Sequence, residues 1–155
     1  MALEIERKFL VINDKWKDSV VSQAVLKQGY LATTSKASVR VRVDGDVANI
    51  NIKGSTVSIS RREYEYPIPM QDAEELLQHL VAGAAIDKVR YKVKCGDHIW
   101  DLDLFQGANN GLVIAEVELS DEDESFEMPA WAGEEVSGDT RYYNASLVKH
   151  PFCDW

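Results

Sequence analysis

The 155-residue chain has few of the features that mark a membrane protein, an exported protein or a disulfide scaffold. No apolar run approaches the roughly 20 residues that a membrane-spanning helix needs. Glu4 and Glu6 stand where an export signal would require an unbroken apolar stretch, so no such signal is expected. Cys95 and Cys153 are the only cysteines and have no Cys or His cluster beside them. That excludes zinc-ligand spacing and a disulfide framework, and leaves a reduced, cytoplasmic setting as the expectation. The three histidines, His79, His98 and His150, form no Ser/His/Asp or Cys/His arrangement, and none is expected to be catalytic. A P-loop is missing too, because Lys53-Gly54-Ser55 runs in reversed order without the upstream glycine. With no repeat and no Pro-, Gly- or Ser-rich linker, residues 1–155 read as one domain. The net charge of −9 speaks against nucleic acid as a partner, although a site can be locally basic on an acidic protein.

What the chain does have is alternation with a period of two, the mark of half-buried strands. Eight runs show it: Leu3 to Val11, Ala24 to Thr33, Ala37 to Val43, Ala48 to Lys53, Val57 to Pro67, Asp87 to Cys95, His98 to Phe105 and Leu112 to Leu119. Asp44-Gly45-Asp46 and Gly96-Asp97 supply turns. In the fifth run the polar face changes parity, from Ser58 and Ser60 to Arg61, Glu63 and Glu65, which predicts a β-bulge around Ser60 to Arg62. Met70 to Val81 has a helical period with Leu76, Leu77 and Leu80 on one stripe, read as core packing. Shorter helices are expected over Asp14 to Ser22, over Arg141 to Lys149, and after Ser120, where the following acids suit the positive end of a helix dipole. Cys95 continues the apolar face of its strand and is read as a buried thiol.

The polar faces carry full charges rather than Ser, Thr or Gln, and the signs are sorted by strand. Glu4, Glu6, Glu63, Glu65, Asp101, Asp103, Glu116 and Glu118 lie on four strands. Arg40, Arg42, Lys53, Arg90 and Lys92 lie on three others, and Lys8 shares the first strand with two acids. Any half-buried sheet turns its polar face to water, so an ordinary charged exterior is one reading. The other starts from the fact that eight strands suffice to close a small barrel. With charged faces inward, such a barrel would be lined by both signs, which lowers the cost of burial by internal pairing. Carboxylates ligate hard cations such as Mg2+ or Mn2+, and Arg and Lys neutralise phosphate oxygens, so this lining suits a metal-bound polyphosphate. Residue types alone leave both readings open.

The opening Glu4-Ile5-Glu6-Arg7-Lys8-Phe9-Leu10 resembles the Glu-x-Glu-x-Lys signature of the CYTH family, the triphosphate tunnel metalloenzymes. Further elements follow in family order across almost the whole chain: Gln28-Gly29-Tyr30-Leu31, Arg40-Val41-Arg42, Lys53 before a glycine, Arg61-x-Glu63-x-Glu65 and Lys88-x-Arg90-Tyr91. Trp100-x-x-Asp103-x-Phe105-x-Gly107, Gly111-Leu112-x-x-Ala115-Glu116-x-Glu118 and Arg141-Tyr142-Tyr143-Asn144 complete the set. The resemblance implies a mainly β, α+β fold: a closed eight-stranded antiparallel β-barrel with helices packed outside. It also implies a small-molecule triphosphate substrate and a divalent metal, Mg2+ or Mn2+. Carried over by position, Glu4, Glu6 and Glu118 would hold the metal, with Asp103 and Glu116 supporting it or holding a second. Lys8, Arg40, Arg42, Lys53, Arg90, Lys88 and Lys92 would grip phosphates. Glu63 and Glu65 would help place a second metal or position the basic residues, and Tyr30 would pair with Lys8 near the attacked phosphorus.

The chemistry expected is in-line attack of water on a terminal phosphorus, with positioning and electrostatics carrying most of the acceleration. The compact chain resembles small bacterial members that act on inorganic tripolyphosphate. Class IV adenylate cyclisation and thiamine triphosphate hydrolysis are the alternatives within the family. A thiamine-specific site would want an aromatic platform, for which Trp131, Trp155, Tyr142 and Tyr143 are the candidates. A non-catalytic polyphosphate-binding module is the alternative of another class, and eight inward carboxylates argue against it. The antiparallel barrel face could support a homodimer.

Overall fold

Alternating apolar and charged residues underlie eight of the nine strands in a computed structural model that describes residues 3–155. They are β1 (Leu3–Val11), β2 (Val20–Thr33), β3 (Ala37–Asp44), β4 (Val47–Gly54), β5 (Ser60–Ile68), β6 (Ile86–Cys95), β7 (His98–Phe105), β8 (Val113–Glu118) and β9 (Ala132–Glu135). The helices are α1 (Met70–His79) and α2 (Asn144–Lys149). All strand pairings are antiparallel, and the order β5-β4-β3-β2-β6-β7-β8-β1 closes through β1–β5 into an eight-stranded barrel. The expected barrel is therefore present, with one more strand outside it.

That ninth strand had no sequence signal, since Ala132-Gly133-Glu134-Glu135 is short and does not alternate. It pairs with β1 along the edge that β5 also uses. Leu3, Glu4 and Ile5 pair with Arg62, Arg61 and Ser60 of β5, whereas Phe9 and Val11 pair with Glu135 and Ala132 of β9. Closure of the barrel thus rests on a seam of three residue pairs, extended by the Glu6 N–H donating to the Ile59 carbonyl at 3.1 Å.

Outside the barrel, Phe9, Trp100, Leu102, Val117 and Trp131 form the largest core cluster, with ring centroids of Trp100 5.5 Å from Phe9 and 5.4 Å from Trp131. Helix α1 covers Val41 and Ala48 with Ala73, Leu76 and Leu77, but it ends at His79, before the expected Val81, and Leu80 of the expected stripe stays exposed. Helix α2 brings Leu147 onto Ile86, Phe105 and Ile114. Helices cover only part of the apolar exterior: the main cluster is sealed by Trp16 and Phe126, which come from a 3-10 turn and a loop. Val21, Val25 and Tyr66 stay exposed. Among the described residues no helix is long and apolar enough to cross a membrane.

Four local expectations need correction. The helix over Asp14 to Ser22 is only a 3-10 turn, Lys15–Ser19, because the β-branched Val20 and Val21 already belong to β2 and Val20 pairs with Val93. No helix follows Ser120: its N–H donates to the Glu124 carboxylate at 2.7 Å, and the Asp123 N–H donates to Asp121 at 2.8 Å, so side chains satisfy the backbone in a turn. The parity change near Ser60 is not a bulge inside a strand. Val57 and Ser60 exchange backbone hydrogen bonds of 2.7 and 3.0 Å around Ser58, whose φ is 58°, so a tight turn resets the phase before β5 begins. Cys95 is half-buried rather than enclosed, its thiol donating towards Glu127.

Gly29 lies where α1 ends against β2. A Cβ there would stand 2.5 Å from Val81 Cγ2 and 3.0 Å from Leu77 Cδ2. Gly29→Ala should therefore lower stability by about 1–3 kcal/mol through overpacking. Equal denaturation midpoints for variant and wild type would show that Val81 simply turns aside.

Candidate active site

Inward-facing residues from all eight barrel strands line a cavity of about 590 Å3. Eight acids (Glu4, Glu6, Asp44, Glu63, Glu65, Asp101, Glu116 and Glu118) and eight bases (Lys8, Arg40, Arg42, Lys53, Arg61, Lys88, Arg90 and Lys92) stand in its wall. The charged faces therefore point into the barrel, which decides between the two readings of the alternation. Of the residues named from sequence, Glu4, Glu6, Lys8, Tyr30, Arg40, Arg42, Lys53, Glu63, Glu65, Lys88, Arg90, Lys92, Glu116 and Glu118 all line it. Asp103 does not. It sits behind the wall at 2% exposure.

Register explains which charges meet. Directly opposed residues on paired strands share a face with close Cβ atoms. Lys8 faces Glu116 and Glu6 faces Glu118 across β1–β8; Arg90 faces Asp103 and Lys92 faces Asp101 across β6–β7. Glu4 faces Arg61 across the closing seam, and Lys53 faces Glu63 across β4–β5. Resulting contacts are Lys8 to Glu116 at 3.4 Å, Lys53 to Glu4 at 3.3 Å and to Glu63 at 3.7 Å, and an ion pair between Lys92 and Asp101. Both Asp103 oxygens are occupied: Arg90 donates to them at 2.7 and 2.9 Å, and Lys88 Nζ lies 2.9 Å away. Arg40 donates to the Asn51 side-chain oxygen at 3.2 and 3.0 Å, while Arg42 and Asn51 both donate to Glu65, at 2.9 and 2.7 Å.

The protonation pattern follows from these neighbours. Burial would raise the Glu116 carboxyl, but Lys8 and Arg90 hold it down at about 2. Burial likewise opposes ionisation of Asp103, and Arg90 and Lys88 overcome it. Glu6 goes the other way: burial, then the negative charges of Glu116 and Glu4, push it well above the carboxylate range. Burial and a hydrogen bond shared with Glu4 push Glu63 up to about 7 despite Lys53. Burial lowers Lys88 to about 8 even though Asp103 stabilises its charge. Burial would raise Glu4 as well, but a hydrogen bond shared with Glu63 and the charges of Lys53 and Arg61 hold it below the usual carboxylate range. Among the described residues, however, no three His, Cys, Asp or Glu side chains converge into a ready-made coordination shell.

The C-terminal segment completes the wall with residues that no period could reveal. Asn144, at the start of α2, accepts hydrogen bonds from Gln28 at 2.8 Å and from Lys88 at 3.0 Å. The Lys8 ammonium lies 5.2 Å from the Tyr143 ring centroid and 3.4 Å from the Tyr142 carbonyl oxygen. The expected Lys8–Tyr30 pairing is not formed; those groups take its place. Arg61 and Asp101 are also wall residues that sequence reasoning left out of the site. Both stand in phase with chosen residues, Arg61 with Glu63 and Asp101 with Asp103, so carrying the period two positions further finds them. Of the aromatic candidates for a base platform, Trp131 is in the core, Trp155 packs on Tyr142 outside the cavity, and only Tyr143 reaches the wall.

Known proteins resemble this chain over nearly its full length. Residues 2–150 match the family described as CYTH domain. An inorganic triphosphatase of Acetivibrio thermocellus is 46% identical over 152 residues, covering 98% of this chain and 97% of that protein. One of Nitrosomonas europaea is 38% identical over 149 residues, covering 94% and 96%. A crystal structure of an inorganic triphosphatase superposes with a TM-score of 0.69 at 36% identity, covering 96% of this chain and 95% of that one. With its closed eight-stranded barrel and its match over residues 2–150, this chain belongs to the CYTH domain family.

Proposed function

We propose that this chain hydrolyses inorganic tripolyphosphate to pyrophosphate and phosphate with the help of a divalent cation, Mg2+ or Mn2+. The observation that carries the reading is the make-up of the wall: eight acids and eight bases, with Tyr30 and Tyr143 as its aromatic rings among the described residues. Lys8 lies over the Tyr143 ring and Tyr30 is buried, so the cavity offers many phosphate-binding groups and little open aromatic surface for a base or a thiazolium ring. The names of the two close relatives and of the superposable structure agree with a phosphate-only substrate.

The donor set fits a hard cation. Glu4 and Glu6 are neighbours on one face of β1, and Glu118 is directly opposite Glu6, so three carboxylates share one stretch of the wall. A cation there would also offset the burial and the neighbouring negative charges that raise Glu6 and Glu63 above the usual carboxylate range. When bound, it would offset phosphate charge and help orient the triphosphate. The chain's own residues do the rest. Arg40, Arg42, Lys53, Lys88, Arg90 and Lys92 grip the phosphate oxygens, and Lys8 and Tyr30 stand nearest the attacked phosphorus. Asp103, with both oxygens occupied, holds Arg90 and Lys88 in place rather than ligating metal. Glu65 does the same for Arg42, and Glu63 for Lys53. Glu116, 3.4 Å from the Lys8 ammonium, holds Lys8 in position. Two unpaired thiols are consistent with a cytoplasmic setting.

The test is phosphate release from tripolyphosphate, ATP and thiamine triphosphate, each with and without Mg2+ or Mn2+. Metal-dependent release from tripolyphosphate well above the other two is expected. Cyclic AMP and pyrophosphate from ATP would overturn the reading, as would binding without turnover.

A further inference from the structure

The cavity contains four guanidinium groups, and hydrogen bonds tie down three of them. Arg40 is held by Asn51, Arg42 by Glu65 and Arg90 by Asp103. Arg61 differs. Its Nε lies 3.8 Å from Glu4 and its Nη2 lies 4.0 Å from Glu6, close enough for charge attraction but too far for hydrogen bonds. Among the described residues, no acceptor fixes its N–H groups. It stands opposite Glu4 in the three-pair seam that closes the barrel, with its side chain in the cavity wall.

Glu4 and Glu6 cannot serve a guanidinium and a divalent cation equally well, because two cations a few ångströms apart repel strongly in a partly buried site. A guanidinium displaced from a carboxylate still carries a planar fork of donors that matches phosphate oxygens. Resting on the assignment of Glu4 and Glu6 to the cation, we propose that Arg61 is the resident counter-ion of the site. It neutralises these carboxylates while no divalent cation holds them, and it turns its donors to the triphosphate once one does. Arg61 is thus a substrate-binding residue whose availability depends on the metal. That dependence couples the two ligands: the bound cation frees Arg61 for the phosphates, and phosphates that engage Arg61 leave the carboxylates to the cation.

The test compares wild type, Arg61→Gln and Arg61→Lys. Mn2+ uptake is followed by loss of the free-ion magnetic-resonance signal in protein without substrate, and KM for tripolyphosphate is measured separately. Arg61→Gln should bind Mn2+ roughly three- to tenfold more tightly, because a competing charge is gone. Its KM for tripolyphosphate should rise by at least a similar factor. Arg61→Lys keeps the charge but loses the fork, so its Mn2+ affinity should stay near that of wild type while KM still rises. Unchanged or weaker Mn2+ binding by Arg61→Gln overturns the counter-ion role. Should that variant fail to fold, a wild-type KM in Arg61→Lys overturns the proposal by itself. Wild-type protein that takes up no Mn2+ overturns the underlying cation assignment instead.

Discussion

Glu118→Ala should lose tripolyphosphate turnover by on the order of 10³-fold, the scale for removing one preorganised electrostatic element from a phosphoryl or acyl transfer site. The same variant should melt at or slightly above the wild-type temperature. Burial raises the Glu118 carboxyl and so do the negative charges of Glu4 and Asp101, which means that this side chain is held where its charge is unwelcome. It also faces another acid, Glu6, across the β1–β8 ladder. Removing it relieves repulsion in the empty barrel but takes away a carboxylate when a cation must be held. Activity and stability thus move in opposite directions, as they do where a site is built at the expense of the fold. Normal turnover in Glu118→Ala would sink the assignment of that carboxylate. A large fall in melting temperature would show that Glu118 is structural after all.

Asp103→Ala should do the reverse of that in stability, and the effect should be large. Asp103 is buried at 2% exposure, accepts two hydrogen bonds from Arg90, and lies 2.9 Å from Lys88, itself 1% exposed. Deleting it strands one buried cation, Lys88, and one partly buried cation, Arg90. Removing one partner of a buried pair costs about 3–5 kcal/mol. For a chain of this size that corresponds to a melting temperature lower by roughly 6–20 °C. Turnover should fall too, since Arg90 and Lys88 lose the group that aims them. The discriminating measurement is Mn2+ affinity: a positioning role leaves it nearly unchanged, whereas a ligand role would weaken it in step with activity. A variant that melts like wild type would overturn the structural role.

Much of this was legible because a barrel interior obeys the same period as its strands. Once β1, β3, β4 and β6 were recognised as alternating, Glu4, Glu6, Lys8, Arg40, Arg42, Lys53 and Arg90 followed as one charged face, which the family resemblance, not the period, turned inward. The failures occur where period gives way to local hydrogen bonding. Ser120 to Glu124 has the acids of a helix start, yet its side chains satisfy the backbone themselves. Arg61 was read in phase with Glu63, yet parity alone gave it no role in the site. Asn144 and Tyr143 enter the site from a segment whose position depends on how Leu147 and Tyr142 pack, which no spacing encodes. Asp103 shows a different limit. Parity put it on the right face, but only the contacts of Arg90 and Lys88 show that its oxygens are already committed.

The division of the β1 edge between β5 and β9 bears on how the molecule is made. During synthesis β1 leaves the ribosome first, yet its ladder partners are β8 on one side and, on the other, a three-pair seam with β5 and a short stretch of β9. Its main neighbour therefore appears only after residue 118 has been translated, and β9 later still. Until then β1 is a strand with an open edge and an acidic flank, waiting on contacts of long sequence separation, which form slowly. Open edges invite pairing with the wrong chain, and charge is one of the devices that discourages it. Glu4 and Glu6 then have a second effect, exerted before any substrate arrives: they keep the waiting strand soluble.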